Sequence, residues 1–261
     1  MRTFSQSCPT RDAAAMAMFR RIDEALLAVA EEMAAAETSY PTLIAREVLV
    51  QAGYPDAFPH LLMLAAHLRR PEASDQLGPA NLDDPQWCLS PAVCYHVYAA
   101  LSGRAMKEPA VITARGRCFR HEATIEPGRR QIEFDMREIV LLGRPEWVSA
   151  SALECKERLE RCARGLGLAG EWRAAEDPFF LPRASGQAMM QRLKETKLEY
   201  CCGDAASALA SVNFHGDFFA RRFDIRDGSG ALIHTACIAA GLDRWASGLH
   251  VHKREACPCH R

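Results

Sequence analysis

The chain holds 261 residues with a formal net charge of −1, a length that suits one large domain or a core with a small appendage and a charge far from the basic balance of an RNA binder. No run reaches the roughly 18 consecutive apolar residues of a membrane span, and MRTFSQSCPT at the N-terminus lacks the apolar stretch of a secretory signal. We therefore expect a cytoplasmic protein with no membrane partner, whose eleven cysteines are small buried hydrophobes and in part metal ligands rather than a disulfide framework.

In chain order, residues 12–37 predict an amphipathic helix, because Phe19, Ile22, Leu26, Val29 and Met33 recur at steps of three and four. A second helix is expected over 40–52, ended by Gly53. The prolines of GYPDAFPHLL and the composition of LGPANLDDPQW mark irregular chain. CLSPAVCYHVYAALSG carries a proline and then a helical pattern. From residue 109 the period falls towards two, so AVITARGRCFRHE and RQIEFDMREIVLLG read as paired strands joined by ATIEPGR. Residues 149–166 and 185–197 are expected to be helical, with the loop AAEDPFFLPRASG between them. ALASVNFHGDFFARRFDI and ALIHTACIAAG read as strands, the second leading into a helix at LDRW. A helical first third and a sheet-rich remainder predict one α+β domain over 1–261, built on a mainly antiparallel sheet. Its appendages would be the N-terminal helix at 12–37 and a helical insertion at 149–200.

The stretch CFRHEATIEPGRRQIEFDMREIVLLG gathers Arg120, Glu122, Arg129, Arg130, Glu133 and Glu138 on one hairpin. A charge that faces a core costs free energy unless it meets a partner. One reading is a pocket for a nucleoside triphosphate, with arginine forks for phosphate, a carboxylate for an exocyclic amine or a metal, and Phe134 as a flat face for a base. The other is an antiparallel sheet laced by its own salt bridges.

The order of these residues carries a resemblance. FRHE, a short basic loop and RRQIEF resemble motif 2 of the class II aminoacyl-tRNA synthetases. HTACIAAGLDRW resembles their motif 3, with Gly241 and Arg244 in its Gly-x-x-Arg signature, and SVNFHGDFFARRFDI resembles the strand before motif 3 in seryl-type enzymes. The resemblance spans roughly residues 40–250. Within that superfamily the chain is most similar to the amino acid:[carrier protein] ligases, truncated relatives of the atypical zinc-dependent seryl-tRNA synthetases.

The resemblance implies a zinc site of Cys94, Glu138 and Cys237, which lie so far apart that only a folded sheet could unite them. Two thiolates and a carboxylate leave a fourth tetrahedral position for an incoming α-amino group. Cys88 is a rival to Cys94, which is preferred for its L-x-P-A-x-C context. CPCH at 257–260 lacks the usual spacing of a metal site, and the adjacent Cys201 and Cys202 read as structural.

The resemblance further implies that Arg120 holds the α-phosphate of ATP beside the substrate carboxylate and Arg244 the γ-phosphate, the two forming the catalytic pair. Glu122 would meet the adenine amino group, Phe134 would stack on adenine, and Arg129 and Arg130 would meet the outer phosphates. Lys197 matches a lysine near the nucleotide, Ser211 and Asn213 match a strand bordering the amino-acid pocket, and Glu138 would touch both zinc and the amino group. Mg2+ would accompany ATP. Only Asp204 lies near the place of a metal-binding glutamate, so the magnesium ligands stay open, and Asp243 stands where motif 3 often has glutamate.

The implied reaction is activation of glycine or alanine by ATP to an aminoacyl-adenylate, followed by transfer to the phosphopantetheine thiol of a small acyl carrier protein, in a homodimer. No tRNA partner is expected, because the sequence shows neither a long coiled-coil arm nor an added anticodon module. Lys156, Arg158, Arg161 and Arg164 on the helix expected over 149–166 would steer an acidic carrier; the competing reading is a solvated face diluted by Glu154, Glu157 and Glu160. The alternatives for the whole chain are an atypical seryl-type tRNA synthetase and a non-catalytic synthetase paralogue.

Overall fold

The structure, a computed structural model, describes residues 8, 10–70, 72, 78–175, 177, 196–202 and 208–255. Helix α1 (Ala13–Glu32) is N-capped by Asp12, whose Oδ1 accepts the Ala15 amide at 2.8 Å. It buries the expected stripe of Phe19, Ile22, Leu26 and Val29. It stops short of residue 37: Ala34 turns left-handed at φ 54°, and strand β1 (Ala36–Glu37) follows. The alanines there have no apolar bulk to continue the packed stripe, so the chain is free to pair with the sheet instead.

Strand β2 (Leu43–Ala45) and helices α2 (Arg46–Gln51) and α3 (Tyr54–Ala57) come next. The helix expected over 40–52 is thus helical only in its second half. Leu43–Ala45 pair antiparallel with a strand some forty residues on, a partner that local periodicity cannot reveal. With β3 (Leu64–Ala65) and β4 (Trp87–Leu89) they form a small sheet in the order β2–β4–β3.

Helix α4 (Cys94–Ala100) and the short β5 (Ala105–Met106) lead to the hairpin β6 (Ala110–Phe119) and β7 (Glu133–Gly143). Helix α5 (Pro145–Gly165) follows, with β8 (Gly170–Ala174), β9 (Lys197–Cys202) and β10 (Ala208–Gly216) after it. The stretch 149–200 therefore holds two strands as well as a helix among its described residues. The helix expected over 185–197 lies outside them up to residue 195, and Lys197 opens a strand. The strand expected across 208–225 bends at Gly216 into helix α6 (Phe218–Phe223). The chain closes with β11 (Arg226–Asp227), β12 (His234–Gly241) and α7 (Leu242–Glu255).

The main sheet runs β1–β6–β7–β12–β10–β9–β8 and is antiparallel except at the β1–β6 edge. This is the α+β architecture that the order of elements predicts. Helices α1, α5 and α7 cover one face over Ile139, Leu141, Val212, Ile238 and Trp245. Helices α4 and α6 cover part of the other, over Val140, Leu142 and Cys237. Strand side chains alternate between faces. Phe134, Met136 and Glu138 of β7 therefore point away from α1, whereas Asp135 and Arg137 point towards it. Among the described residues no helix is long and apolar enough to cross a membrane, and the described cysteines are free thiols.

Candidate active site

Register decides which groups meet. Glu138 lies opposite Ala239, Cys237 opposite Asn213, and Asn213 and Ser211 opposite Lys197 and Glu199. Directly opposed residues share a face, so Phe134, Glu138, Cys237, Ser211, Asn213 and Lys197 all stand on the face away from α1.

Cys94, the first residue of α4, completes a cluster. Its Sγ, a Glu138 carboxylate oxygen and the Cys237 Sγ lie within 4.8 Å of one another, and all three residues are buried. Glu138 spans the gap by accepting the Cys94 amide at 2.8 Å and the Val93 amide at 3.3 Å. The loop that offers these amides is fixed from behind. His96 Nε2 sits 3.1 Å from Ser90 Oγ, which donates to the Ala92 carbonyl at 2.9 Å, and Tyr40 stacks on the imidazole at 5.6 Å. Burial pushes His96 down to about 4, so this prop stays neutral. Gly116 lets β6 approach the same loop, since a Cβ there would lie 2.7 Å from Val93 Cγ2.

The protons of the cluster are shared. Burial, with Cys237 close by, pushes Glu138 up to about 8. Cys94 is pushed well up as the donor to Cys237 and by burial; Cys237 is held well below the ordinary thiol range by that donated hydrogen bond, with His215 and Asn213 adding to the effect. Asn213 Nδ2 lies 3.5 Å from Cys237 Sγ and donates to Ser211 Oγ at 3.0 Å. Two soft sulfurs and one carboxylate, converging in a buried space with an anionic balance, fit a divalent ion of zinc's type. The rival Cys88 packs instead with Ile44, Leu49, Tyr54 and Leu61 in a separate cluster.

The arginines stand at the other end of the same strands. Arg120 is half-buried and donates from Nε and Nη2 to the Pro91 carbonyl at 3.2 and 3.1 Å, and its guanidinium lies 5.1 Å from the Phe134 ring centroid. Arg244 donates from Nε to the Arg129 carbonyl and from Nη1 to the Ala208 carbonyl, both at 2.9 Å. Burial, then repulsion from Arg120 and Arg130, lowers the Arg244 pKa. These cations meet carbonyls and one another, an arrangement suited to an anion. Arg129 Nη1 lies 3.6 Å from Glu126 Oε2, Arg130 is exposed and Glu122 is half-buried, all on a loop closed by the Glu126–Arg130 bridge. Gly128, at φ +75°, presses this loop onto α7, where a Cβ would come 2.8 Å from Ser247 Oγ. Lys197 Nζ is 2.8 Å from Asp177 and 3.0 Å from Glu199; burial opposes its charge, but the two carboxylates outweigh it and raise its pKa.

The opposite face explains the remaining charges of the hairpin. Arg117 pairs with Glu133 at 2.9 Å. Asp135 meets Arg11 at 2.8 Å and Arg115 at 3.1 Å, while Arg137 meets Asp23 at 2.7 Å and Glu37 at 2.9 Å. Asp243 accepts the Asp135 amide and binds Arg11, each at 2.8 Å. The salt-bridged reading of the hairpin thus describes the face towards α1, while Arg120, Phe134 and Glu138 of the pocket reading stand away from it. Sequence reasoning passed over Asp135, Arg137, His96, Tyr98, Glu199 and His215; the alternation within RQIEFDMREIV is the signal that separates the first two from Glu138.

The basic face of α5 is largely neutralised. Arg158 pairs with Glu154 and Glu32, Arg164 with Glu160 at 2.6 Å, and Lys156 lies 5.4 Å over the Trp172 ring, which leaves Arg161 exposed. The solvated-face reading describes this helix better than a basic stripe. Asp204 and the CPCH cluster lie outside the described residues.

No family model matches the chain. It is 31% identical to amino acid–[acyl-carrier-protein] ligase 1 of Bradyrhizobium diazoefficiens, over 90% of this chain and 78% of that protein. It is equally identical, 31%, to ligase 2 of the same organism, over 83% and 70%. The type-2 serine–tRNA ligase of Methanocaldococcus jannaschii is 24% identical over 89% of this chain and 50% of its own length. Two solved structures share the fold: M. kandleri SerRS in complex with A. aeolicus tRNASec (TM-score 0.77, 23% identity, 90% of this chain and 51% of that one), and Giardia lamblia prolyl-tRNA synthetase with prolyl-adenylate (TM-score 0.73, 13% identity, 95% and 48%). The chain spans about half the length of each.

Proposed function

The chain belongs to the amino acid–[acyl-carrier-protein] ligases and has a class II aminoacyl-tRNA synthetase-like fold, and from that premise we propose that it activates glycine or alanine with ATP and passes the aminoacyl group to the phosphopantetheine thiol of an acyl carrier protein. The observation that carries this reading is the order of groups along one sheet face. Arg120, Phe134 and Arg244 stand at one end, and Cys94, Glu138 and Cys237 converge further along the same strands.

An ATP with adenine on Phe134 and Glu122 places its phosphates between Arg120 and Arg244, with Arg129 and Arg130 near the outer ones. A substrate carboxylate oxygen attacks the α-phosphorus in line, the bond from that phosphorus to the bridging oxygen breaks, and pyrophosphate leaves. Arg120 balances charge at the reacting phosphorus and Arg244 balances it on the leaving group. Ser211 and Asn213 border the amino acid. In the second half-reaction the thiol sulfur attacks the carbonyl carbon, its proton passes to solvent, and AMP departs. When bound, zinc held by Cys94, Glu138 and Cys237 would supply a Lewis-acid position for the neutral α-amino group, and Mg2+ would screen the phosphates. Glycine and alanine offer almost no side-chain binding energy, so selection rests on excluding larger residues.

ATP–pyrophosphate exchange across all amino acids is the primary test. Glycine or alanine should give the highest rate, and preference for serine or threonine over both would overturn the assignment. Purified protein should carry about one zinc per chain, and full zinc retention in both Cys94→Ser and Cys237→Ser would remove the metal from the reading. Radiolabelled amino acid should move to a phosphopantetheinylated carrier and leave total tRNA unlabelled; the reverse result identifies a tRNA ligase.

A further inference from the structure

His215 is the extra residue of a β-bulge. Phe214 pairs with Ala236 and Gly216 with Thr235, so the register shifts across His215, and Gly216 adopts φ +58°. A bulge re-aims the side chain it carries, and this one turns an imidazole towards the cluster, with Nε2 at 3.8 Å from Cys237 Sγ. The ring is held on its other sides. Nδ1 lies 3.2 Å from Thr235 Oγ1 and 3.3 Å from Tyr98 OH. Phe219 meets the ring edge-on at 4.9 Å and Tyr98 at 6.2 Å, and those two rings stack on each other at 4.3 Å. The imidazole therefore has a rigid aromatic backing, yet it remains half-buried, with Nε2 turned to Cys237. It does not belong to the set of donors that converge within 4.8 Å of one another.

Its place along the strand gives it a role. From Asn213, opposite Cys237, strand β10 runs back through Ser211 to Ala208, whose carbonyl holds Arg244. Forward from Asn213 it reaches His215. The nucleotide end and His215 thus lie on opposite sides of the cluster. On the reading proposed above, on which this inference rests, the substrate carboxylate faces the nucleotide end and its amino group faces the cluster. The α-substituent is then directed to the far side.

We infer that His215 is the end wall of the amino-acid pocket and a specificity-determining residue: its imidazole, backed by Tyr98 and Phe219, occupies the volume that a branched or long side chain would need. The bulge sets how far the wall reaches in.

The test is calorimetric binding of unreactive aminoacyl-sulfamoyl adenosines (glycyl, alanyl, valyl and leucyl) to the full chain, with zinc content measured in parallel. Unsubstituted protein should bind the glycyl or alanyl compound and discriminate against the other two. His215→Ala should narrow the valyl-to-glycyl gap by about tenfold or more, the scale at which pocket volume discriminates, and keep its zinc. His215→Phe should widen the gap between alanyl and glycyl, and this arm decides the matter if His215→Ala does not fold. An unchanged order of affinities in a zinc-replete His215→Ala overturns the wall, as does loss of zinc in that variant, which would make His215 a support of the metal site. Absence of adenylate formation with any amino acid in the unsubstituted protein is a separate failure, of the proposed function itself.

Discussion

The two faces of the β6–β7 hairpin use their charges in opposite ways. Towards α1, Arg115, Arg117, Asp135 and Arg137 find ionic partners within the chain, in Asp23, Glu37, Arg11 and each other. Away from α1, Glu138 rests on two backbone amides, while Arg120 at the loop end rests on one backbone carbonyl. Backbone dipoles orient a charge without cancelling it. A face whose ions cancel is scaffold; a face whose ions are merely held in place is prepared to meet a charge that arrives from outside.

Arg120→Ala should separate the faces most sharply. On the proposed function, loss of a preorganised cation at the reacting phosphorus predicts a fall of about 10²–10³ in pyrophosphate exchange, with the melting temperature nearly unchanged. A large drop in stability would place Arg120 with the scaffold.

Arg137→Met should do the converse. Its side chain is 4% exposed and pairs with Asp23 and Glu37. Removing one partner of a buried network costs about 3 kcal/mol, here reduced by the exposure of Glu37. Urea unfolding should register that loss, while KM for ATP in the remaining folded protein stays within twofold of the parent by our order-of-magnitude expectation. A change in KM with intact stability would reverse the assignment of the two faces.

Glu138 gives a pH signature. Its folded pKa, about 8, lies above the ordinary carboxylate value, so the folded metal-free protein binds a proton that the unfolded chain releases. That contribution is fully present below the unfolded pKa of roughly 4 and is lost as pH rises through the folded value. Glu138 alone would cost chelator-treated protein up to about 1.4 kcal/mol per pH unit between pH 5 and 8, while Cys237, held well below the ordinary thiol range, titrates in the opposite sense over that window. Glu138→Gln should therefore make the dependence of stability on pH more positive by up to that amount. Zinc should act in the same direction, because a bound cation favours the carboxylate. A slope unaffected by Glu138→Gln would show that another group titrates.

The smallest effect is expected on α5. Arg161→Glu should slow transfer to an acidic carrier severalfold at low salt, with the difference shrinking as salt is raised, and should leave pyrophosphate exchange intact. Arg158→Glu acts on a side chain already paired with Glu154 and Glu32; an equal or larger effect there would mean that the carrier competes for those bonds.

Much of this molecule is legible in its sequence. The apolar stripe of α1, the paired strands β6 and β7, and the β12-to-α7 junction at Gly241 follow from local periodicity, because each element buries its own repeating face. The resemblance singled out Cys94, Glu138 and Cys237, and the fold does bring them together. Elements that depend on distant partners were misread. Ala36–Glu37 become a strand through pairing with β6, and Leu43–Ala45 through pairing with residues 87–89. Chain-local propensity cannot see a ladder whose second rail lies far along the sequence.

The sequence by itself determined the composition of the site: which residues carry thiols, carboxylates and guanidinium groups, and on which alternating positions they sit. The tertiary structure alone decided which of those charges are cancelled. Register set Glu138 on one face and Asp135 and Arg137 on the other, α1 returned to neutralise the second set, and a bulge turned His215 to the cluster. The physical reason is range. Side-chain alternation is fixed by neighbouring residues, whereas neutralisation of a charge requires an opposite one within a few ångströms, and folding alone supplies that distance.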